Sequence, residues 1–199
     1  MTESTKMHFY MPPEFYRKVL ADYNDWRFAW VREVLQNLID AKATIANITT
    51  EVVGDNLRVT VIDNGHGMNT EVLKTGFMAM GGSIKDGDDN DVGGFGVASM
   101  MIAQSHVSYV IKSQDFICKG ATGVYEVRKN EEFVNGCEIS VVMRKDDLSR
   151  WNPEAILRSN VEKWSEFANV PHLKMLFNGD DISPKCQKFD YELESELGT

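Results

Sequence analysis

The chain is short of basic residues, of cysteine and of any long apolar run, and each shortage removes a class of function. Lysine and arginine number 21 against 30 aspartates and glutamates, a formal charge of −9. A surface with that balance repels phosphate, so no direct grip on nucleic acid or anionic lipid is expected. The 3 cysteines, Cys118, Cys137 and Cys186, form no C-x-x-C pair. An odd number without pairing fits reduced thiols in the cytoplasm better than a disulfide framework. The 4 histidines lack the H-x-x-x-H spacing of a helical zinc site. No apolar stretch approaches the ~20 residues that span a bilayer, and no basic-then-apolar start resembles a signal peptide, so membrane insertion is not expected.

What is present describes one globular core. The 199 residues, 43% hydrophobic and 26% charged, suffice for a single domain with an extension. No internal repeat is visible. The stretch after Pro13, through "FYRKVLADYNDWRFAWVREVLQNLIDA", has helical periodicity, with residues 1–27 read as a helical extension and a break near "DYND". "NITTEVVGDNLRVTVID" reads as two strands about a Gly54-Asp55-Asn56 turn. "NTEVLKTGFMAM" predicts a short helix with Asn69 as N-cap. Three beta-rich segments come next, "HVSYVIKSQ", "FICKGATGVYEVRK" and "GCEISVVMR", then a helix from Pro153 and a strand in "HLKMLFNGDDI". The domain is expected to span residues 1–180, with 181–199 an acidic tail or a linker to a following domain. The fold class expected is an α+β two-layer sandwich, with helices on one face of a mixed, mostly antiparallel sheet.

Three stretches can carry chemistry. On the helix "WVREVLQNLIDA", Glu33, Asn37 and Asp40 fall within about 60° of one another at 100° per residue, and Val31, Val34, Leu35, Leu38 and Ile39 lie opposite. A solvated polar face is the plain alternative, although Trp30 lies beside the stripe. The second stretch is "DNGHGM". Asn-Gly ordinarily signals a hairpin, but no second strand comes directly after it. Read instead as a ligand floor, Asp63 presents an acceptor to an exocyclic amine, and Gly65 and Gly67 clear the way for a flat ligand. The third is "GGSIKDGDDNDVGGFG", residues 81–96, which holds 6 of the 15 glycines and 4 aspartates. Glycine amides opening a helix make an anion site; a flexible surface loop is the alternative. No G-x-x-x-x-G-K-[ST] occurs, the Gly94-x-Gly96-x-x-Ser99 spacing is a poor dinucleotide fingerprint, and Asp86-x-Asp88-x-Asn90 lacks the glycine and glutamate of a calcium loop.

In this order and spacing the three stretches resemble the GHKL ATPases, the group of gyrase B, the ninety-kilodalton heat-shock chaperones, MutL and the sensor histidine kinases. Glu33-x-x-x-Asn37-x-x-Asp40-Ala41 is similar to the N box, Asp63-x-Gly65-x-Gly67-Met68 to the second box, and Gly93-Gly94-Phe95-Gly96-Val97-Ala98 to the lid glycines. "GCEISVVMR" resembles the family's G-T-x-I strand, with Cys137 where threonine is usual. The resemblance spans roughly Phe28 to Asn178 and extends to phage RIIA-like proteins, which would place the chain in a host cytoplasm. It implies the Bergerat fold with ATP and Mg²⁺ bound between helices and sheet. Asp63 would accept from the adenine amine, with Gly65, Gly67, Met68 and Cys137 around the base and Asp40 supporting that side through water. Asn37 would ligate the metal, and Glu33 would polarise the attacking water. The amides of Gly93, Gly94, Phe95, Gly96 and Val97 would cradle the phosphates, while Lys85 is read as a solvated lid lysine.

The function implied is a slow, Mg²⁺-dependent ATPase that works as a nucleotide-gated switch, dimerising with ATP in a larger protein. The alternative is a non-catalytic sensor in which ATP orders the lid to create a partner surface.

Overall fold

The computed structural model describes residues 26–78, 102, 106–121, 124–144, 152–168, 170 and 172–183. Its centre is a six-stranded sheet. β1 (Ile45–Val53) and β2 (Asn56–Asp63) form an antiparallel hairpin, joined at Gly54 with φ +58°, a conformation open to glycine without strain. β3 (Ser108–Ala121) and β4 (Val124–Arg144) form a second, longer hairpin, and β4 pairs antiparallel with β2. β5 (Lys174–Phe177) lies parallel to β1, and β6 (Asp180–Asp181) turns back on β5. The spatial order is β3-β4-β2-β1-β5-β6. Asn178 and Gly179, both at positive φ, make the last tight turn.

The sheet buries one face. Along β2 the alternation puts Leu57, Val59 and Val61 inward, and β4 does the same with Cys137, Ile139, Val141 and Met143. The other face carries polar pairs, among them Lys112 Nζ to Glu138 Oε1 at 2.9 Å and Thr60 Oγ1 to Ser140 Oγ at 3.0 Å. Helix α1 (Trp26–Asp40) contributes Phe28, Trp30, Val31, Val34, Leu35 and Leu38 to the apolar core cluster of the described residues. Helix α3 (Pro153–Phe167) adds Leu157 and Val161; it starts with Pro153, and Asn152 Oδ1 accepts from the Ala155 N–H at 3.2 Å. This is the mixed, mostly antiparallel sheet with helices on one face that the sequence predicts.

Four details differ from expectation. The beta-rich segments after His106 are two long strands, because the β3–β4 pairing runs on past irregularities at Ser113/Gln114 and Gln114/Phe116. The helix after Asn69 is cut short. α2 (Thr70–Val72), capped by Asn69 Oδ1 accepting from the Val72 N–H at 2.9 Å, gives way to one π-turn over Leu73–Phe77. The boundary expected at residues 180/181 falls inside a hairpin. Ile182 N–H donates to Met175 O, and Ser183 Oγ accepts from the Met175 N–H at 3.0 Å, so the domain continues at least to Ser183. At the other end, Trp26 and Arg27 belong to α1 rather than to a preceding extension. Residues 1–25, the lid stretch 81–96 with Lys85, Gly93, Gly94, Phe95 and Gly96, Val97, and residues 184–199 lie outside the described residues.

Candidate functional site

The alternation that drives Val59 and Val61 into the core also drives Asp63 inward, at the last position of β2. The residue is 8% exposed. Its Oδ1 accepts from the Gly65 N–H at 2.8 Å, and the Cys137 N–H on the neighbouring strand also bonds the carboxylate. Burial raises the Asp63 carboxyl above its usual range; the two N–H donors and the nearby His66 act against that rise. An ionisable acceptor at the mouth of an apolar layer has a desolvation cost that no fold requires. Such positions are where ligands are held.

Beyond Asp63 the chain does not fold back as a hairpin. Asn64 leaves the strand, and its Oδ1 accepts from the N–H groups of both Thr44 and Ile45 at 2.8 Å, while its Nδ2 donates to Thr44 Oγ1 at 2.8 Å. The loop is thereby tied to the segment joining α1 to β1. His66 N–H donates to Ala41 O at 3.0 Å, one residue past the end of α1. A Cβ at Gly65 would stand 2.7 Å from both Ala41 Cβ and Ala41 O. At Gly67, with φ +67°, a Cβ would meet Gly136 O and Ser113 Oγ at 2.6 Å. The two glycines therefore have a reason the sequence does not reveal. Their missing side chains make room for the protein's own backbone, whatever a ligand also gains.

Ser113 joins the far side. It is fully buried, accepts from the Met68 N–H at 2.8 Å and donates to Gly136 O at 2.6 Å. Met68 is half-buried against the core cluster. Cys137 is buried, and burial, with the negative charge of Asp63 beside it, pushes its thiol far up; it stays neutral. Asp63, Gly65, Gly67, Met68 and Cys137 are thus one constellation, with Ser113 and Asn64 as members that sequence reasoning missed. No spacing signal could have found Ser113, whose partners lie 45 and 23 residues away.

The N-box stripe is on the same helix whose end this loop touches. Asp40, the last residue of α1, is half-buried. Asn37 is exposed, and the Glu33 side chain is 15% exposed, with Arg32 Nη2 at 3.2 Å from its Oε1. From Ala41 back to Glu33 is about 12 Å along the axis at 1.5 Å per residue. A groove of about 630 Å³ between α1 and α3 involves Val31, Leu35, Leu157 and Trp164 instead, with none of the stripe. Among the described residues no three His, Cys, Asp or Glu side chains group as a metal site, and no helix is long and apolar enough to cross a membrane.

The family described as histidine kinase-, DNA gyrase B-, and HSP90-like ATPase matches residues 27–140. Among solved structures, the fold is similar to the ATPase region of Saccharomyces cerevisiae topoisomerase II bound to ICRF-187 (dexrazoxane), at 13% identity and a TM-score of 0.58. That match covers 78% of this chain and 48% of the other, so this chain spans about half of it. No curated protein matches the chain. With the match reaching from the start of α1 into β4 and taking in both boxes around Ala41, the chain belongs to the histidine kinase-, gyrase B- and HSP90-like (GHKL) ATPase family.

Proposed function

We propose that this chain binds ATP with Mg²⁺, hydrolyses it slowly and acts as a nucleotide-gated switch within a larger, dimerising protein. The observation that carries the reading is Asp63, a buried carboxylate held by two backbone N–H groups at the end of a core-facing strand. The adenine amino group is a donor suited to it, and Met68 supplies an apolar, polarisable surface for the base. Asp40 stands at the same end and would reach the base side through water. The distance of about 12 Å along α1 matches an extended triphosphate running from adenine toward Glu33. Asn37, one turn from Glu33, offers an exposed amide oxygen. That fits Mg²⁺, which takes few protein ligands and keeps waters and phosphate oxygens. When bound, the metal would neutralise charge on the phosphates.

Glu33 is the candidate general base. Water's oxygen would bond to the γ-phosphorus as the bridging P–O bond breaks, ADP departs, and the water proton passes to the Glu33 carboxylate. The lid residues Gly93 to Val97 would supply amides to the phosphates. Glu33→Ala should keep Mg·ATP binding in calorimetry while phosphate release falls about 10²- to 10⁴-fold. Unchanged turnover would reject Glu33 as the base and make Asp40 the next candidate. ATP binding without phosphate release in the native chain would favour the sensor reading.

A further inference from the structure

One peptide plane links two of the site's side chains. Its carbonyl end, Gly136 O, accepts from the Ser113 hydroxyl at 2.6 Å. Its amide end, the Cys137 N–H, lies beside Asp63 where the β2–β4 pairing ends and favours the charged form of that carboxylate. A peptide whose carbonyl is already hydrogen-bonded is polarised and donates more strongly, by about 10–30% per bond. The same hydroxyl receives the Met68 N–H at 2.8 Å, so it also fixes the loop that carries Gly67. Its surroundings are tight. Ser113 is fully buried, Gly136 adopts φ +83°, and a Cβ at Gly136 would stand 2.1 Å from Asp63 O. The β2–β4 pairing, which runs to Ile62 opposite Glu138, brings this peptide against the end of β2, and the β3–β4 pairing sets Ser113 opposite Cys137.

We infer that Ser113 is a positioning residue for the adenine acceptor, acting on Asp63 through the Gly136–Cys137 peptide while pinning Met68 beneath the base. The inference rests on the reading of Asp63 as that acceptor, and it adds a residue from a strand that neither box contains. Ser113 touches no reacting atom. Its effect passes through the Gly136 carbonyl and the polarised peptide to the carboxylate. The ionisable groups acting on Asp63 among the described residues are His66 on its own loop and Cys137 on β4, and neither is removed by changing Ser113.

The test is a titration of the Asp63 ¹³Cγ resonance in nucleotide-free protein, assigned by its loss in Asp63→Asn, together with calorimetry of Mg·ATP binding. Ser113→Ala should raise the Asp63 midpoint by about 0.3 to 1 pH unit, since the polarised donor is weakened. It should also weaken ATP binding about 3- to 30-fold. Ser113→Thr, which keeps the hydroxyl, should restore the midpoint. An Asp63 midpoint unmoved by Ser113→Ala overturns the inference, even if affinity falls, because loss of packing alone would lower affinity. If the Ala variant does not fold, Ser113→Cys retains volume with a weak donor and gives the same comparison. A native chain that binds no ATP at any pH would overturn the nucleotide reading instead. The titration decides the Ser113–Asp63 link independently of that result.

Discussion

Asp63→Asn separates what the fold needs from what the ligand needs. In the native protein the carboxylate is 8% exposed and accepts from the N–H groups of Gly65 and Cys137. The amide keeps the shape and one acceptor oxygen, but turns a donor NH₂ toward whichever partner the second oxygen served. Stability then changes in two opposing ways: a buried charge disappears, and one hydrogen bond to it weakens. Each is worth about 1–3 kcal/mol, so the net at neutral pH should lie within about 2 kcal/mol of zero. For the ligand nothing offsets the loss. A hydrogen bond to a charged acceptor contributes about 1.5–3 kcal/mol, so ATP should bind about 10- to 150-fold more weakly. The pH dependence gives a second signature. Because burial raises the folded-state value above the ordinary 3.8, the folded chain holds more protons than the unfolded one just above that pH. The Asp63 contribution to stability is therefore greatest below 3.8 and declines as pH rises through the folded value. The stability of Asp63→Asn relative to native should accordingly improve from pH 4 to pH 7. Urea titrations at both pH values, paired with calorimetry of Mg·ATP, measure all three quantities. A variant that binds ATP normally, or whose relative stability falls between pH 4 and 7, would refute the account of Asp63 as a buried, costly acceptor.

Other expectations concern the loop that frames it. Gly67→Ala puts a methyl where Gly136 O and Ser113 Oγ stand at 2.6 Å, at φ +67°; denaturant unfolding should reveal a loss of about 2–4 kcal/mol, and a loss below about 0.5 would mean the loop yields freely. Gly54→Ala is the control. It has a similar φ of +58° but nothing within 4 Å, so only the backbone cost of about 1 kcal/mol should appear. Asn64→Ala removes three hydrogen bonds to Thr44 and Ile45 and should cost about 1–3 kcal/mol, with faster hydrogen exchange at the Thr44 and Ile45 amides as the local readout. Protection equal to native at those two amides would count against the clamp.

Much of this molecule was legible because its signals are local. The Glu33-Asn37-Asp40 stripe comes from helix period, the β1–β2 hairpin from alternation about Gly54, and the Asn69 cap from a single side chain reaching three residues ahead. The unfinished helix after Thr70 was less legible, since a single π-turn is too short to set an apolar period of its own in the sequence. The glycines are the sharpest example. Their presence in "DNGHGM" is plain, yet the atoms that exclude a Cβ belong to Ala41, Ser113 and Gly136, brought there by sheet topology. Ser113 itself lay in a strand pattern where an inward serine looks like an ordinary break in alternation.

The end of β2 runs against hydropathy. Ile62 points outward at 40% exposure while Asp63 points inward at 8%. Sliding this strand by one residue would hide the isoleucine and hydrate the aspartate, but it would also turn Leu57, Val59 and Val61 out to water, so the rest of the strand opposes the slide. Asparagine side chains oppose it at both ends of the neighbouring β1. Asn64 grips Thr44 and Ile45 at one end, and Asn178 Oδ1 accepts from the Thr50 N–H at 2.8 Å while its Nδ2 donates to Thr50 Oγ1 at 2.8 Å near the other. They act as alignment pins. The register that the core residues of β2 select and these pins hold is the one that keeps the Asp63 carboxylate inside.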